Sequence, residues 1–226
     1  MIVPGEIISY NEMCLEEGVN LQRGMNFGLG QSYSIILMSQ RKNAPYEDEV
    51  LENGKVLIYE GHDIPNTKDI DDPKKYDQPM YNPSGTLTQN GLFFETAKNK
   101  DGVEEIVKVY EKIQSGIWVF NGFFILVDAY IVESNSRKVF KFRLELTENL
   151  KMDSRRRRLE HNRLIPSSVK VEVWKRDRGE CVICGEKDNL HYDHDLPFSK
   201  GGSSLTAKNI RLLCARHNLK KSSKIE

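Results

Sequence analysis

Cys181-Val182-Ile183-Cys184, then Leu190-His191-Tyr192-Asp193-His194-Asp195, then Cys214-Ala215-Arg216-His217-Asn218 decide how the C-terminal third of this chain folds. Two residues separate Cys181 from Cys184, and two separate Cys214 from His217. Two close pairs of soft ligands are what a tetrahedral structural Zn²⁺ needs, because each pair forms one knuckle and the chain between them is pinned. Unrelated buried thiols would not repeat that spacing at both ends. Three of the four cysteines are used this way, which suits a reducing compartment better than a disulfide framework. Between the knuckles an Asp-His pair precedes Ser199-Lys200-Gly201-Gly202 and then Asn209.

These residues, in this order, resemble the HNH nuclease family over about residues 165–225. The family fold is a hairpin, a loop and a helix around one divalent ion. The resemblance implies His194 as general base and Asp193 with Asn218 as oxygen ligands of a catalytic Mg²⁺ or Mn²⁺. It implies Asn209 as the residue that orients the loop carrying the base. Phosphodiester hydrolysis needs those parts: an activated water, a cation on the phosphate and help for the leaving oxygen. A neutral imidazole can take a proton from water near neutral pH. His217 departs from the pattern, since many zinc-bearing relatives carry cysteine there; we read it as the fourth zinc ligand. His191 and Asp195 read as surface or supporting polar groups.

Working outward, the formal charge of zero over 226 residues conceals two opposite halves. Residues 1–150 hold 15 Lys and Arg against 23 Asp and Glu, a net of −8; residues 151–226 hold 18 against 10, a net of +8. The basic half is the one expected to meet phosphates. Arg155, Arg156, Arg157 and Arg158, together with Lys200, Lys208 and Arg211, are candidates for DNA-backbone contact, with Lys170, Lys175 and Arg176 as further cations. We place domains at 1–150 and 168–226 with a basic linker at 151–167. Ser167 or Ser168 is expected to cap a helix running to Arg178, with Gly179 as its stop.

Residues 1–150 read mainly as strands. Tyr33–Met38, Lys55–Tyr59, Ile106–Tyr110, Trp118–Val132 and Val139–Leu146 are rich in β-branched and aromatic residues, and the last alternates apolar with charged positions. Asn121-Gly122 and Asn53-Gly54 are expected as hairpin turns. Residues 62–85 form a long polar stretch, which in a compact domain usually has a function.

This half resembles the SRA domain, a β-rich module of the PUA-like superfamily that reads 5-methylcytosine by flipping it out of the duplex. The resemblance is carried in order by Pro4-Gly5, Ser32–Leu37, Tyr46-Glu47-Asp48-Glu49, Ile58-Tyr59-Glu60-Gly61, Thr86–Leu92 and Trp118–Gly122. It implies Tyr46 and Tyr59 as the two rings that sandwich the flipped base. It implies Asp48 or Glu49 as the carboxylate that accepts from the cytosine 4-amino group, one extra residue before Gly61 leaving the choice open. Glu60 stands where methylcytosine readers carry a small hydroxyl residue, so a hydroxymethyl group is a second candidate ligand. Gln22–Leu29 and the 62–85 loop are candidates to enter the grooves.

The expected fold class is therefore α+β: an SRA/PUA-like barrel followed by a zinc-bound ββα-metal HNH domain. The expected function is a modification-dependent, type IV-like DNA endonuclease acting on double-stranded DNA with modified cytosine, invading phage DNA being the implied target. One HNH site cuts one strand, so a double-strand break calls for a homodimer or two visits. The alternative is an HNH nuclease without modification dependence whose N-terminal half binds RNA or a protein. No run of 18 apolar residues and no signal-peptide pattern is present, so a cytoplasmic enzyme without membrane association is expected.

Overall fold

A computed structural model describes residues 2–29, 33–99, 102–147, 164–196 and 204–222. The fold is mixed α+β, with a β-rich N-terminal part and a small C-terminal ββα unit. Eight strands form one sheet in the order β2-β3-β6-β7-β8-β5-β4, with β1 also paired to β7. These are β1 (Ile7–Ser9), β2 (Met25–Asn26), β3 (Ser34–Met38), β4 (Glu49–Leu51), β5 (Val56–Glu60), β6 (Ile106–Gln114), β7 (Ile117–Ser134) and β8 (Arg137–Leu146). Pairing is antiparallel except between β3 and β6.

Alternation along the strands gives the sheet two apolar faces. One carries Met25, Ile36, Met38, Leu57, Tyr59, Phe124 and Phe142, covered by Phe93 of α2 (Gln89–Lys98). The other carries Ile35, Tyr110, Trp118 and Phe120, covered by Met13 of α1 (Tyr10–Glu17). Under α1 the Glu17 carboxylate accepts from the Lys108 ammonium and from the Tyr110 and Tyr33 hydroxyls. Buried acid and base satisfy each other there.

Asn121-Gly122 is not a hairpin turn. It lies inside β7, where the register with β6 shifts opposite Val109 and Tyr110. Gly122 has φ +113°, a value open to glycine, and it bends the strand at a bulge instead of ending it. The reversals occur at Gly116 and at Asn135-Ser136, all with positive φ. Asn53-Gly54 does turn the chain between β4 and β5.

The C-terminal unit consists of α3 (Ser167–Arg176), the hairpin β9 (Leu190–His194) with β10 (Ile210–Cys214), and α4 (Ala215–Ser222). Pro166 is the N-cap of α3 and no side chain caps it; the Ser167 hydroxyl donates instead to Gln40 Oε1 at 2.6 Å. Ile113 and Val119 of the large sheet share one apolar cluster with Val169, Val173, Tyr192 and Leu213. Lys170 is buried at this boundary, its ammonium 2.5 Å from Glu111 Oε2 and 2.6 Å from Asn121 Oδ1. Lys170 is thus not available to a phosphate. No helix among the described residues is long and apolar enough to cross a membrane.

Candidate functional site

The four candidate zinc ligands come together, as their spacing predicts. The ligand atoms of Cys181, Cys184, Cys214 and His217 all lie within 4.8 Å of one another. His217 Nδ1 is 3.4 Å from Cys181 Sγ and 3.3 Å from Cys214 Sγ, and Cys184 Sγ is 3.8 Å from Cys214 Sγ. A tetrahedron with metal–sulfur bonds of ~2.3 Å has sulfur–sulfur edges of roughly 3.8 Å, so the set fits Zn²⁺ without rearrangement. Burial works against ionisation of the Cys181 thiol. The backbone N–H groups of Cys214, Ile183 and Cys184, with His217, outweigh it and bring the thiol down to about 6. A thiolate at neutral pH is the form a metal binds. Stripping zinc with a chelator, or substituting Cys214→Ser, is expected to unfold the C-terminal unit, because structural zinc supplies folding free energy directly. Metal content and the loss of a thermal transition measure it; a chelator-treated protein with an unchanged melting profile would refute the metal's role.

Next to this cluster the β9–β10 register sets Asp193 opposite Arg211 and His194 opposite Ile210. Lys221, near the end of α4, donates to Asp193 Oδ2 and to the His194 carbonyl. Lys221 thus occupies Asp193 Oδ2, with Arg211 Nε at 3.9 Å, and a hard cation taking this carboxylate as ligand would displace that ammonium. His194 Nε2 is 2.8 Å from Ser204 Oγ. Burial lowers the His194 imidazole below its usual value, opposed by Asp193 and assisted by Lys221, so the ring is neutral near pH 7. Asn209 pins the following loop from both sides: its Oδ1 accepts from Leu196 N at 2.9 Å and its Nδ2 donates to Leu196 O at 3.1 Å. Asn218 is half-buried on α4, directly after His217.

The cationic candidates separate. Lys208 is exposed and free to meet phosphate, whereas Arg211 is bound at 2.8 Å to Asp195. Arg176 donates to its neighbour Asp177 and to the carbonyls of Ala207 and Ile210. Arg155, Arg156, Arg157, Arg158 and Lys200 lie outside the described residues. His191 is buried, on a strand bridged to Glu6. Ser204 and Lys221 were not singled out by sequence; a serine beyond a Gly-Gly loop and one lysine among several give no signal of their own.

Three of the N-terminal candidates, Tyr46, Asp48 and Tyr59, line a cavity of about 720 Å³ together with His62, Arg23 and Gly24, among others. Asp48 forms part of its wall, while Glu49 is exposed on β4. The Asp48 carboxylate accepts from Glu60 N and Ser39 N, each at 3.1 Å. Burial pushes Asp48 up to about 7, those two hydrogen bonds and Lys141 resisting and the Glu60 charge adding to it.

Two expectations need correction. Glu60 is not on the cavity wall. Its Oε2 is 3.0 Å from Lys141 Nζ and 3.1 Å from Glu47 N, and its Oε1 is 3.4 Å from both Arg137 and Gln78. A carboxylate so occupied has no acceptor left for a base substituent. The tyrosines, moreover, do not face each other across an open slot. The His62 ring lies parallel to Tyr46 at 5.1 Å and 13°, and its Nε2 is 2.9 Å from the Tyr59 hydroxyl. Burial depresses His62 to about 4, so the ring is neutral at physiological pH. Sequence reasoning did not identify His62. Its signal was position: it follows Tyr59-Glu60-Gly61 directly, and Asn90 holds its backbone by two hydrogen bonds of 2.8 Å. On the 62–85 loop, the Lys74 ammonium lies 4.4 Å from the Tyr46 ring centroid.

Comparison with known proteins assigns the C-terminal unit. Residues 181–224 match the family described as HNH endonuclease, and the chain carries an HNH domain there. No curated protein matches the chain. Three solved structures to which it is similar cover its N-terminal part or most of its length. The SUVH5 SRA domain in complex with methylated CHH DNA is 21% identical, over 66% of this chain and 90% of that one, with a TM-score of 0.45. The SUVH5 SRA domain bound to fully hydroxymethylated CG DNA is 22% identical, over 66% and 93%, with a TM-score of 0.44. The modification-dependent TagI restriction endonuclease is 15% identical, over 97% and 77%, with a TM-score of 0.42.

Proposed function

We propose that this protein is a cytoplasmic, modification-dependent DNA endonuclease. Its N-terminal cavity takes a modified cytosine extruded from double-stranded DNA, and its HNH domain hydrolyses a phosphodiester bond nearby. The observation that carries this reading is the buried Asp48 carboxylate. It lines a cavity that also holds the faces of Tyr46 and His62, in a chain whose other end carries Asp193 and His194 in an HNH domain. A carboxylate only accepts hydrogen bonds, so it selects a base that presents an amino group and rejects one that presents a carbonyl. The entering base takes the place of the neutral His62 ring against Tyr46. Its stacking, worth on the order of 1–3 kcal/mol, offsets the cost of unpairing.

At the other end, a divalent ion held by Asp193 and Asn218 would neutralise charge on the scissile phosphate. His194 takes the proton from the attacking water, and Asn209 keeps its loop in place. Cys181, Cys184, Cys214 and His217 hold Zn²⁺ as a structural clamp on the same hairpin. One such centre cuts one strand, so a double-strand break needs a second chain or a second visit.

The cavity makes recognition pH-dependent. Both Asp48 oxygens already accept a backbone N–H, so protonation removes the lone pair offered to the base. Because burial pushes Asp48 up to about 7, affinity for modified DNA is expected to fall as pH drops below that value and to level off above it. Binding to unmodified DNA should change little. Titrations of a cleavage-deficient variant between pH 5.5 and 8.5 measure this, and a flat profile would remove Asp48 from the contact. The function itself is tested with matched plasmids carrying cytosine, 5-methylcytosine or 5-hydroxymethylcytosine. Preferential cutting of one or both modified forms is expected; equal cutting of all three would leave a nuclease without modification dependence.

A further inference from the structure

The cavity and the cleavage strand are joined by direct contacts that do not pass through the chain connecting Thr147 to Leu164. Strand β6 places Lys112 on the cavity wall and Glu111 beside it, pointing to the other face. Glu111 meets the buried Lys170 ammonium on α3, and Asn121 from the β7 bulge completes the group. The Lys170 carbonyl in turn accepts from the Tyr192 hydroxyl at 2.9 Å, and Tyr192 immediately precedes Asp193 and His194. A second connection is made by backbone. Gly5 N donates to Phe120 O at 2.8 Å in the large sheet, and Gly5 O accepts from Tyr192 N at 3.2 Å in β9. Glu6 bridges to His191 one residue away. Gly5 has φ +87°, and an added Cβ there would stand 3.3 Å from Tyr192 O.

Apolar contacts between domains tolerate sliding. A buried ammonium bonded to a buried carboxylate does not, because a small displacement leaves both charges unpaired away from water. We propose that the two domains act as one rigid ruler. Glu111, Asn121 and Lys170 are positioning residues that fix the spacing between the bound base and the phosphodiester that is cut. The length of the connecting segment plays no part in that spacing. This inference rests on the cavity reading above.

The test maps cleavage ends by sequencing on a long duplex with a single modified cytosine. Three full-length proteins are compared: the natural chain, a variant with a Gly/Ser stretch inserted between Glu148 and Asn149, away from the arginine cluster, and Lys170→Glu, which faces Glu111 with like charge. The natural chain is expected to give one narrow peak of cut positions. The insertion is expected to leave that peak in place, and Lys170→Glu to broaden or shift it. Bound zinc and a thermal melt establish that Lys170→Glu is folded; should it not fold, Asn121→Ala serves as the loosened variant. Scattered ends from the natural chain, or a peak that moves with the insertion while cutting still depends on modification, would overturn the ruler alone. Equal cutting of an unmodified duplex would defeat the cavity reading instead, and the ruler with it.

Discussion

Replacing His194 with alanine is expected to lower the cleavage rate by about 10²- to 10⁴-fold, the usual contribution of a positioned general base. Binding of modified DNA should be unaffected. The ring stands at the end of β9, half-buried and neutral, just before the loop that Asn209 holds by two hydrogen bonds to Leu196. Nothing in the base cavity touches it. Single-turnover cleavage and a gel-shift titration separate the two quantities. Full activity in the variant would remove His194 from the chemistry; lost binding with an intact zinc site would mean that it contacts DNA in the ground state.

Replacing Tyr46 with alanine is expected to reduce the preference for modified over unmodified DNA by roughly 5- to 150-fold, the equivalent of about 1–3 kcal/mol of lost stacking. Tyr46 is half-buried on the cavity wall, with His62 stacked on its ring and the Lys74 ammonium over it. Tyr59 is 1% exposed and belongs to the sheet's core, so its removal would confound recognition with stability. Cutting of unmodified DNA at high enzyme concentration should persist in Tyr46→Ala, since the HNH domain is untouched. An unchanged preference would remove Tyr46 from the site.

The meeting of the Cys181-Cys184 and Cys214-His217 pairs was legible in the sequence because metal geometry dictates spacing between neighbours along the chain. Asp193, His194, Asn209 and Asn218 could be grouped as candidates for a related reason: one hairpin with its connecting loop and one helix carry them all. The strands were visible through their composition. Helix α1 was not foreseen, although Ser9 and Glu12 form a capping box that the sequence displays. Its short, mostly polar run gave no strong helical period. Asn121-Gly122 misled because a turn dipeptide is a local signal. Its fate was decided by Lys170 and Glu111, which capture the Asn121 side chain from distant parts of the chain. Glu60 misled in the same way, for Arg137 and Lys141 arrive from β8 to neutralise it. His62 was invisible because its stacking on Tyr46 depends on a strand and a loop brought together only by folding.

The claim that a base enters the cavity is tested most directly by fluorescence. The His194→Ala protein is bound at saturation to a duplex with 2-aminopurine beside the target cytosine. Extrusion of that cytosine unstacks its neighbour and raises the emission. A rise is expected with 5-methyl- or 5-hydroxymethylcytosine, none with unmodified cytosine, and none when Tyr46→Ala is added. Tight binding of the modified duplex with emission unchanged from the free DNA would contradict it.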